Sequence, residues 1–375
     1  MREGFSVTPK YAVKMLEKAL RLYTPSLEER SMTEFLAEKC DDLGFHDIRI
    51  DGVGNVIAKK GSGTPVVMLC GHMDTVPGKI RVRRDGDLLY GRGASDAKAP
   101  LMAMLFASAS VRDGNGTILF VGVVDEEGNA TGIKNLVKKR MEVDYAVFGE
   151  PSKLDHITIG YKGRLAISLR IDVKSSAHAS APWLAKNAIE ETALFTGRLK
   201  ESLEARGGDN RTRQITAALT EIRGGSSHNV TPQECTATMD IRIPTTTSCK
   251  MIEEKISDLV REISEERDVE AFYSILDETE PFEASARSAL VRAFNLGILE
   301  VERTHAIPIR KTGTGDMNVM GSRWNIPVVT YGPGDPHASH TVNECVSVSE
   351  YLRGIEVLKR TISHLKRLHD KRTKT

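Results

Sequence analysis

Apolar, β-branched runs separated by helical patterns predict an α/β layer in the first half of the chain. Three short runs, at 65–70, 117–124 and 145–148, have the length and composition of buried strands. Helical patterns lie between them at 100–111, which has a proline near its first turn, and at 133–140, which ends in basic residues. This alternation predicts a central, mostly parallel sheet flanked by helices.

The pattern changes after about residue 161. Residues 164–174 alternate like a half-exposed strand, and the remaining strand-like and helical segments follow at 185–199, 215–222, 234–243 and 249–265. Strands and helices segregated in this way predict a smaller α+β domain at 163–275. It would be inserted into a larger domain made of 1–162 and 276–375.

Acidic and imidazole side chains follow four of the predicted strands. They are His72 and Asp74 in LCGHMDTVPG, then Asp125, Glu126 and Glu127, then Glu150, and finally His337 and His340 after a strand at 327–331. Ligands of α/β sheets gather beyond the carboxyl ends of the strands. We therefore expect these side chains to share one edge of the sheet.

Composition narrows the classes of function. With 52 basic and 51 acidic residues the net charge is +1, which argues against general attraction to nucleic acid or to an anionic membrane. The longest apolar run, 99–111, is too short to span a bilayer and predicts a buried helix. The N-terminal segment has the pattern of an amphipathic helix rather than of an export signal.

The cysteines predict a reducing compartment. They are odd in number, widely scattered and without a CxxC pair, so we expect reduced thiols in a cytoplasmic protein: Cys40, Cys70, Cys235, Cys249 and Cys345. A thiolate ligand at Cys70 remains an alternative, although a small buried cysteine is the commoner case.

The predicted edge is rich in metal ligands. Imidazole nitrogen and carboxylate oxygen are the donors that Zn²⁺ accepts when thiolates are absent, and six are available: His72, Asp96, Glu126, Glu127, Glu150 and His340. So many unpaired carboxylates would repel one another, whereas two divalent cations would neutralise them. One carboxylate would then bridge the cations at a separation of about 3.5–4 Å.

Asp96, in GRGASDAKAP, is the preferred bridge because it follows two glycines and precedes a helix. A plain turn or a phosphate loop is the alternative for G-R-G, but the dinucleotide pattern is not matched. For the adjacent pair Glu126 and Glu127, consecutive side chains should diverge. One is then expected to coordinate and the other to exchange protons with the attacking water. In isolation, D-E-E would indicate a solvated turn.

The order of the motifs carries a family resemblance. GHMDTVPG, GRGASDAKAP, DEEG, GEPS, SSAHAS, HNVTP, DIRIP and SHTVNE occur in sequence over most of the chain. This series resembles the co-catalytic zinc aminoacylase family, which includes acetylornithine deacetylase, succinyl-diaminopimelate desuccinylase and carboxypeptidases of the same fold. The resemblance implies one cation held by His72, Asp96 and Glu150 and a second held by Asp96, Glu127 and His340.

The resemblance also implies catalytic roles. Glu126 would be the general acid/base, and Asp74 would orient the ring of His72. The match to SHTVNE favours His340 over His337 as a ligand. Zn²⁺ is the expected cation, with Co²⁺ as an alternative.

For the inserted domain, the resemblance implies a ferredoxin-like lid that forms a homodimer. His178 would cross to the partner's site and stabilise the oxyanion, while Asn229 and Arg242 would bind a substrate carboxylate. From the residues alone, a capping or solvated histidine is the commoner interpretation of His178, and an ion-pair partner is the commoner interpretation of Arg242. Gly313 and Thr314, in KTGTGD, match the family's substrate loop less closely, since Lys311 and Thr312 depart from it.

Two further motifs indicate the substrate. Glu150, rather than aspartate, favours the amide-deacylating members, and GEPS followed by GYKGRL resembles the branch that releases lysine or ornithine from a small acidic amino-group carrier protein. Lys162 and Arg164 would then meet the carrier's acidic tail, or else lie on a solvated strand edge. The alternatives are a deacetylase for acetylornithine or acetyl-lysine, a dipeptidase or carboxypeptidase, and a non-catalytic metal-binding protein.

Overall fold

The computed structural model describes residues 7–204 and 210–373, which divide into two compact units. The larger unit is formed by the described residues of Met1–Ile159, Ala284–Ile309 and Gly315–Thr375. The smaller unit is formed by those of Gly160–Glu283 and Arg310–Thr314. The domain boundaries expected from the sequence, at 162/163 and 275/276, remain predictions about independent domains.

Helices and strands alternate in the first part of the described chain and are more segregated in the middle. In chain order the strands are β1 (His46–Ile50), β2 (Val56–Ser62), β3 (Val66–His72), β4 (Arg83–Asp85), β5 (Leu88–Tyr90), β6 (Gly116–Val123), β7 (Tyr145–Gly149), β8 (His156–Tyr161), β9 (Gly163–Asp172), β10 (Thr216–Gly224), β11 (Glu234–Ile243), β12 (Glu270–Thr279), β13 (Phe282–Glu283), β14 (Ile307–Lys311), β15 (Val328–Thr330) and β16 (Cys345–Ser347). The helices are α1 (Pro9–Arg21), α2 (Arg30–Asp42), α3 (Lys98–Ser108), α4 (Thr131–Leu136), α5 (Ala188–Glu204), α6 (Cys249–Arg267), α7 (Ala289–Glu302), α8 (Asp316–Gly321) and α9 (Val348–Thr373).

The central sheet of the larger unit has the strand order β1-β2-β6-β3-β7-β15-β8. The four middle strands, β6, β3, β7 and β15, run parallel, whereas β2 and β8 pair with them in the antiparallel sense. Because parallel neighbours end on the same side, the loops that follow these four strands meet at one edge. We call this edge the rim.

The core of the larger unit explains why these segments form these elements. Every residue of α3 is buried, and the helix packs against β3 and β6, so the buried helix predicted at 99–111 is confirmed as far as Ser108, where α3 ends. Helix α1 begins after Thr8, whose hydroxyl accepts a hydrogen bond from Tyr11 N at 3.3 Å. The central, mostly parallel sheet flanked by helices confirms the predicted fold class.

The smaller unit contains a four-stranded antiparallel sheet in the order β10-β11-β9-β12. Buried and less buried residues alternate along β9 and β11, as expected for strands with one covered face. Apolar residues of α5 and α6 join the core on that face. In the same unit, β13 pairs with the end of β8.

Candidate metal centre

Asp96 lies between two imidazoles. Its Oδ1 is 3.3 Å from Nε2 of His72, and its Oδ2 is 3.4 Å from Nε2 of His340. The two carboxylate oxygens therefore face two different nitrogen donors. A carboxylate arranged in this way is suited to bridge two cations.

His72 ends β3 and is almost fully buried, with 1% of its surface exposed. Its Nδ1 is 3.0 Å from the backbone oxygen of Asp74 and 3.4 Å from that residue's Oδ1. Because a carbonyl oxygen only accepts, Nδ1 donates, and Nε2 is left to face Asp96 and, at 3.5 Å, Glu150 Oε1. The strand stops at His72, so the backbone of Asp74, rather than its carboxylate, comes nearest to the ring.

The carboxylate of Asp74 instead fixes the turn that follows β6. Its Oδ1 accepts a hydrogen bond from Glu126 N at 3.1 Å, and its Oδ2 accepts from Glu127 N at 3.0 Å and from Ser26 Oγ at 2.7 Å. Burial alone would raise the pKa of Asp74, but the hydrogen bonds from His72 and Ser26 hold that pKa below its usual value. Asp74 therefore stays ionised and holds both glutamates in place.

Glu126 and Glu127 do not diverge as an extended chain would make them. Asp125 has a φ of 58°, so the backbone turns sharply before the pair. One oxygen of each glutamate then lies within 4.8 Å of a nitrogen of His72 and of the other. Glu127 Oε1 is also 2.8 Å from Nε2 of His340. The turn, rather than strand alternation, decides where these side chains point.

The acid-base character of Glu126 is set by its surroundings. Burial raises the pKa of this carboxyl well above its ordinary value; the positive charge of His72 opposes the rise, and the neighbouring charges of Asp316 and Glu127 add to it. A carboxyl perturbed in this direction is suited to exchange protons near neutral pH.

Sequence reasoning missed Asp316, which is the first residue of α8. It is buried, and within the described residues its Oδ1 has no hydrogen-bond partner. In the KTGTGD segment that contains it, the family resemblance points to Gly313 and Thr314 and not to the aspartate. Only the residue's burial, which the motif does not reveal, would have drawn attention to it.

The donor set fits divalent cations. Three overlapping groups each place one ligand atom per residue within 4.8 Å of the others: His72, Asp96 and Glu150; His72, Glu126 and Glu127; and Asp96, Glu127 and His340. Nitrogen and oxygen donors in such sets are those that Zn²⁺ and similar ions accept. Cys70 belongs to none of the groups found among the described residues, and burial raises the pKa of its thiol well above the ordinary value.

The loop that carries Asp96 is held by a residue to which the sequence assigned no role. Glu344 is fully buried, and its Oε1 accepts hydrogen bonds from Ser95 N and Asp96 N, each at 2.9 Å. Its Oε2 accepts from Arg92 Nη1 at 2.8 Å. The residue lies at the end of the SHTVNE motif, four residues after the ligand histidine His340, and its place in that motif was the only signal in the sequence.

In the smaller unit, the loops that carry His178 and Asn229 lie side by side. Ala179 N donates to the backbone oxygen of Asn229 at 2.8 Å, and His178 forms an antiparallel bridge with Val230. His178 is exposed, and its Nδ1 accepts a hydrogen bond from Ser180 N at 3.2 Å. In the neutral ring, Nε2 therefore carries the proton and is a donor.

Three other predicted substrate residues are neighbours in the smaller unit. Arg242 Nη1 donates to Thr314 Oγ1 at 3.4 Å, while its guanidinium pairs with Asp240 at 2.6 Å. Burial and the positive charge of Arg242 lower the pKa of Lys162. Gly313 is exposed, next to Thr314 in the chain. Arg164 pairs with Asp277 at 2.5 Å.

Within residues 7–204 and 210–373, no helix has the length and apolar character needed to cross a membrane.

Comparison with known proteins gives similarity over nearly the whole chain. A [LysW]-lysine/[LysW]-ornithine hydrolase of Saccharolobus solfataricus is 30% identical over 94% of this chain and 96% of its own length. A [LysW]-lysine hydrolase of Deinococcus radiodurans is 31% identical over 94% of this chain and 97% of its own.

Among solved structures, the Bacillus subtilis YXEP protein, described as a dinuclear metal-binding peptidase of the M20 family, superposes with a TM-score of 0.73. The match covers 95% of this chain and 97% of that one at 15% identity, and so supports the fold. Residues 68–364 match the sequence model of peptidase family M20/M25/M40. The family resemblance seen in the motifs is thereby confirmed, and the chain belongs to peptidase family M20/M25/M40.

Proposed function

We propose that the chain is a metal-dependent amide hydrolase that releases lysine or ornithine, or both, from a small acidic amino-group carrier protein in lysine or arginine biosynthesis. The observation that carries the hydrolase chemistry is the placement of Asp96 between His72 and His340, with Glu126 beside them. The substrate class is supported by the relatives, whose names give LysW-linked lysine and ornithine as what they act on.

Two divalent cations complete the proposed centre. Zn²⁺ is the preferred ion for both positions, and Co²⁺ is the alternative. His72, Asp96 and Glu150 would hold one, and Asp96, Glu127 and His340 the other, as the grouping of their ligand atoms supports. When bound, such ions polarise a carbonyl oxygen and lower the pKa of water, which is the chemistry that amide hydrolysis requires.

Glu126 is the proposed general base and acid. Its carboxylate accepts a proton from the attacking water as the new carbon–oxygen bond forms, and it delivers that proton to the leaving amine as the carbon–nitrogen bond breaks. Asp74 holds Glu126 in position by accepting a hydrogen bond from the backbone amide of Glu126. Its backbone oxygen also orients the ring of His72, so that Nε2 of His72 stays turned toward Asp96.

The smaller unit has two proposed roles, as a lid and as the surface of a homodimer. His178 would reach the partner's site, where its Nε2–H would donate to the oxyanion of the tetrahedral intermediate. The support is its exposure together with the hydrogen bond from Ser180 N to Nδ1, which leaves the donor on the outward nitrogen.

The substrate's carboxylate is the proposed partner of the polar side chains of the smaller unit. Arg242 and Thr314 are already hydrogen-bonded to each other, and burial together with the charge of nearby Arg242 lowers the pKa of Lys162. Asn229 and Gly313 complete the proposed set. Arg242 pairs with Asp240, so it would have to exchange part of that ion pair for substrate.

We also place the reaction in the cytoplasm. The five cysteines are free thiols, and such thiols persist in a reducing compartment.

A single kinetic comparison tests the proposed substrate. The enzyme, loaded with Zn²⁺ or Co²⁺, is given the lysine- and ornithine-conjugated carrier, the acetylated amino acids and unmodified dipeptides at equal concentrations. We expect free lysine or ornithine from the carrier conjugate at the highest kcat/KM, with dipeptides the poorest. The E126Q variant, purified in parallel, reports any contaminating hydrolase.

Faster release of lysine or ornithine from the acetylated amino acids would mean that the enzyme is a deacetylase. The proposed substrate would then be wrong, and the proposed catalytic chemistry would stand. Preferential turnover of dipeptides would make the chain a peptidase. Absence of hydrolysis from all three substrate classes, with both ions bound, would remove the catalytic proposal itself.

A further inference from the structure

We infer that Glu344, together with Arg92, is a positioning residue that fixes the shared ligand Asp96 and thereby sets the affinity of the second cation. The inference rests on the proposed two-cation function and extends it to residues outside the ligand set.

Glu344 acts on Asp96 through the backbone. Its Oε1 accepts both the N–H of Ser95 and the N–H of Asp96 at 2.9 Å, and the side chain is fully buried. Two short bonds from consecutive amides to one charged oxygen define where the loop lies, since charge-assisted hydrogen bonds are the stronger class. The carboxylate of Asp96 projects from the backbone that these bonds hold.

Arg92 ties this loop to the segment that carries His340. Its Nη1 donates to Glu344 Oε2 at 2.8 Å and to the backbone oxygen of Thr341 at 3.1 Å, while its Nε donates to the backbone oxygen of Gly78 at 3.0 Å. Gly91 N also donates to the backbone oxygen of Glu344 at 3.2 Å. The loop of Asp96 and the loop of His340 are thus joined by a buried ion pair.

Glu344 is not itself a ligand candidate. Both of its oxygens already accept hydrogen bonds from the protein, and it belongs to none of the ligand groups found among the described residues. A buried carboxylate paired with a guanidinium is costly to break on one side, because the remaining charge is left uncompensated. Its influence on a cation must therefore pass through the backbone of Asp96 and the loop of His340.

The effect should be unequal between the two cations. Of the group Asp96, Glu127 and His340, two ligands lie on the loops that Glu344 and Arg92 join. Of the group His72, Asp96 and Glu150, only Asp96 does, since the other two directly end or follow β3 and β7. Loosening the loops should weaken the second group more than the first.

The test is a titration of metal-free protein with Co²⁺, followed by calorimetry and by the visible absorption of the bound ion. Wild type should bind two ions per chain. In Glu344→Gln, one acceptor oxygen remains, but the new amide N–H₂ opposes Arg92. We expect the affinity for the second ion to fall about 10- to 100-fold, the usual effect of losing a residue that supports a ligand, with the first changed less than about threefold.

Two companion variants separate positioning from folding. The double variant R92Q/E344Q replaces the ion pair with a pair of amides and keeps an oxygen for Ser95 N and Asp96 N, so we expect it to recover most of the lost affinity. Glu302→Gln breaks another Glu–Arg pair of the larger unit, in which Arg353 Nε lies 3.1 Å from Glu302 Oε1, and should leave both affinities unchanged.

The outcomes are distinguishable. A wild-type protein that fails to bind two ions contradicts the proposed function, whatever the variants do. If wild type binds two ions but Glu344→Gln binds both with unaltered affinity, or loses both equally along with a fall in Tm, the positioning role is wrong. A Glu302→Gln variant that behaves like Glu344→Gln would also overturn it.

Discussion

Two clusters of potential metal ligands, one in each unit, differ in ways that separate a site from a coincidence. In the larger unit, Asp96 presents one oxygen to the imidazole of His72 and the other to that of His340. Its backbone amide is held by the buried carboxylate of Glu344. The types of donor atom, the directions in which they point and the hydrogen bond that supports Asp96 are therefore all those expected of a cation site.

In the second cluster the ligand atoms are equally close to one another, but those properties are absent. This cluster lies in the smaller unit and consists of Cys249, Glu278 and Glu280. Burial, followed by the charges of Glu280 and Glu278, raises the pKa of the Cys249 thiol to about 12, so this group remains protonated at neutral pH. Glu278 is exposed on β12, and Glu280 Oε2 already accepts a hydrogen bond from Cys249 N at 3.1 Å. Closeness of ligand atoms is therefore not enough to define a cation site, because this cluster has neither the imidazole donors nor the supported bridging carboxylate of the larger unit.

The largest expected effect among the tests of this contrast is the loss of activity in Glu126→Gln. The amide cannot accept the proton of water, so we expect kcat/KM to fall about 10²- to 10⁴-fold, the range for general acid/base catalysis. Metal content should stay at the wild-type level, because the proposed ligands are intact. Steady-state kinetics and elemental analysis of the same preparation measure both, and near-wild-type turnover would exclude Glu126 from proton transfer.

A smaller effect is expected from Asp74→Asn, which sharpens the part played by supporting hydrogen bonds. The asparagine has one acceptor oxygen where Asp74 uses two, and its N–H₂ would face a donor. Activity or cation affinity should fall about 10- to 100-fold. Asp87→Asn is the matched control, since Asp87 also accepts backbone and hydroxyl hydrogen bonds, from Ser349 N at 3.0 Å and from Ser349 Oγ at 2.8 Å.

If both Asp74→Asn and Asp87→Asn reduce activity equally, the support that Asp74 gives is not specific to the rim.

The pH dependence of cation binding sharpens the comparison further. Without a cation, hydrogen bonds to Asp96 and Glu127 raise the pKa of His340 from 6.5 to about 10, against the opposing effect of burial. A cation must displace this proton at any pH below about 10. The apparent affinity should therefore rise with pH, about tenfold per unit between pH 6 and 9, when one proton is released for each ion bound there.

Titration of metal-free protein with Co²⁺ at pH 6, 7 and 8 measures that slope. An affinity that is constant over this range would show that His340 is not protonated before binding, and so would contradict the environment described for it.

The smallest effect is expected from Glu278→Gln. This change removes one member of the second cluster, so the number of ions bound and kcat/KM should both stay within about twofold of wild type, as for most exposed substitutions. Loss of a bound ion in this variant would show that the smaller unit holds a cation after all, and that the proposed contrast is mistaken.

The sequence predicted the rim because its strands are strongly patterned. The runs at 117–124 and 145–148 are almost wholly buried, so their hydrophobicity is continuous, and the polar residues that follow them stand out. Strands β1 and β2 were not predicted. β1 is short and largely exposed, so the alternation of Ile48 and Ile50 with polar neighbours is a weak signal, and the position of the strand depends on pairing with β2 rather than on its own composition.

At the site, residue types were predictable but their support was not. Imidazoles and acids after strand ends are visible in the sequence, whereas the bonds from Ser95 N and Asp96 N to Glu344 join residues about 250 positions apart. Likewise, the turn at Asp125, with its φ of 58°, overrides the alternation expected of consecutive side chains. Contacts between distant segments and a single backbone angle leave no local pattern to read.

The unequal exposure of the two histidines has a kinetic consequence. His72 is 1% exposed, whereas half of the His340 side chain is open to solvent. We expect an ion beside His340 to exchange with the surrounding solution much faster than one beside His72. The protein would then keep the same ion beside His72 for long periods, whereas the ion beside His340 would be whichever divalent metal the cell supplies.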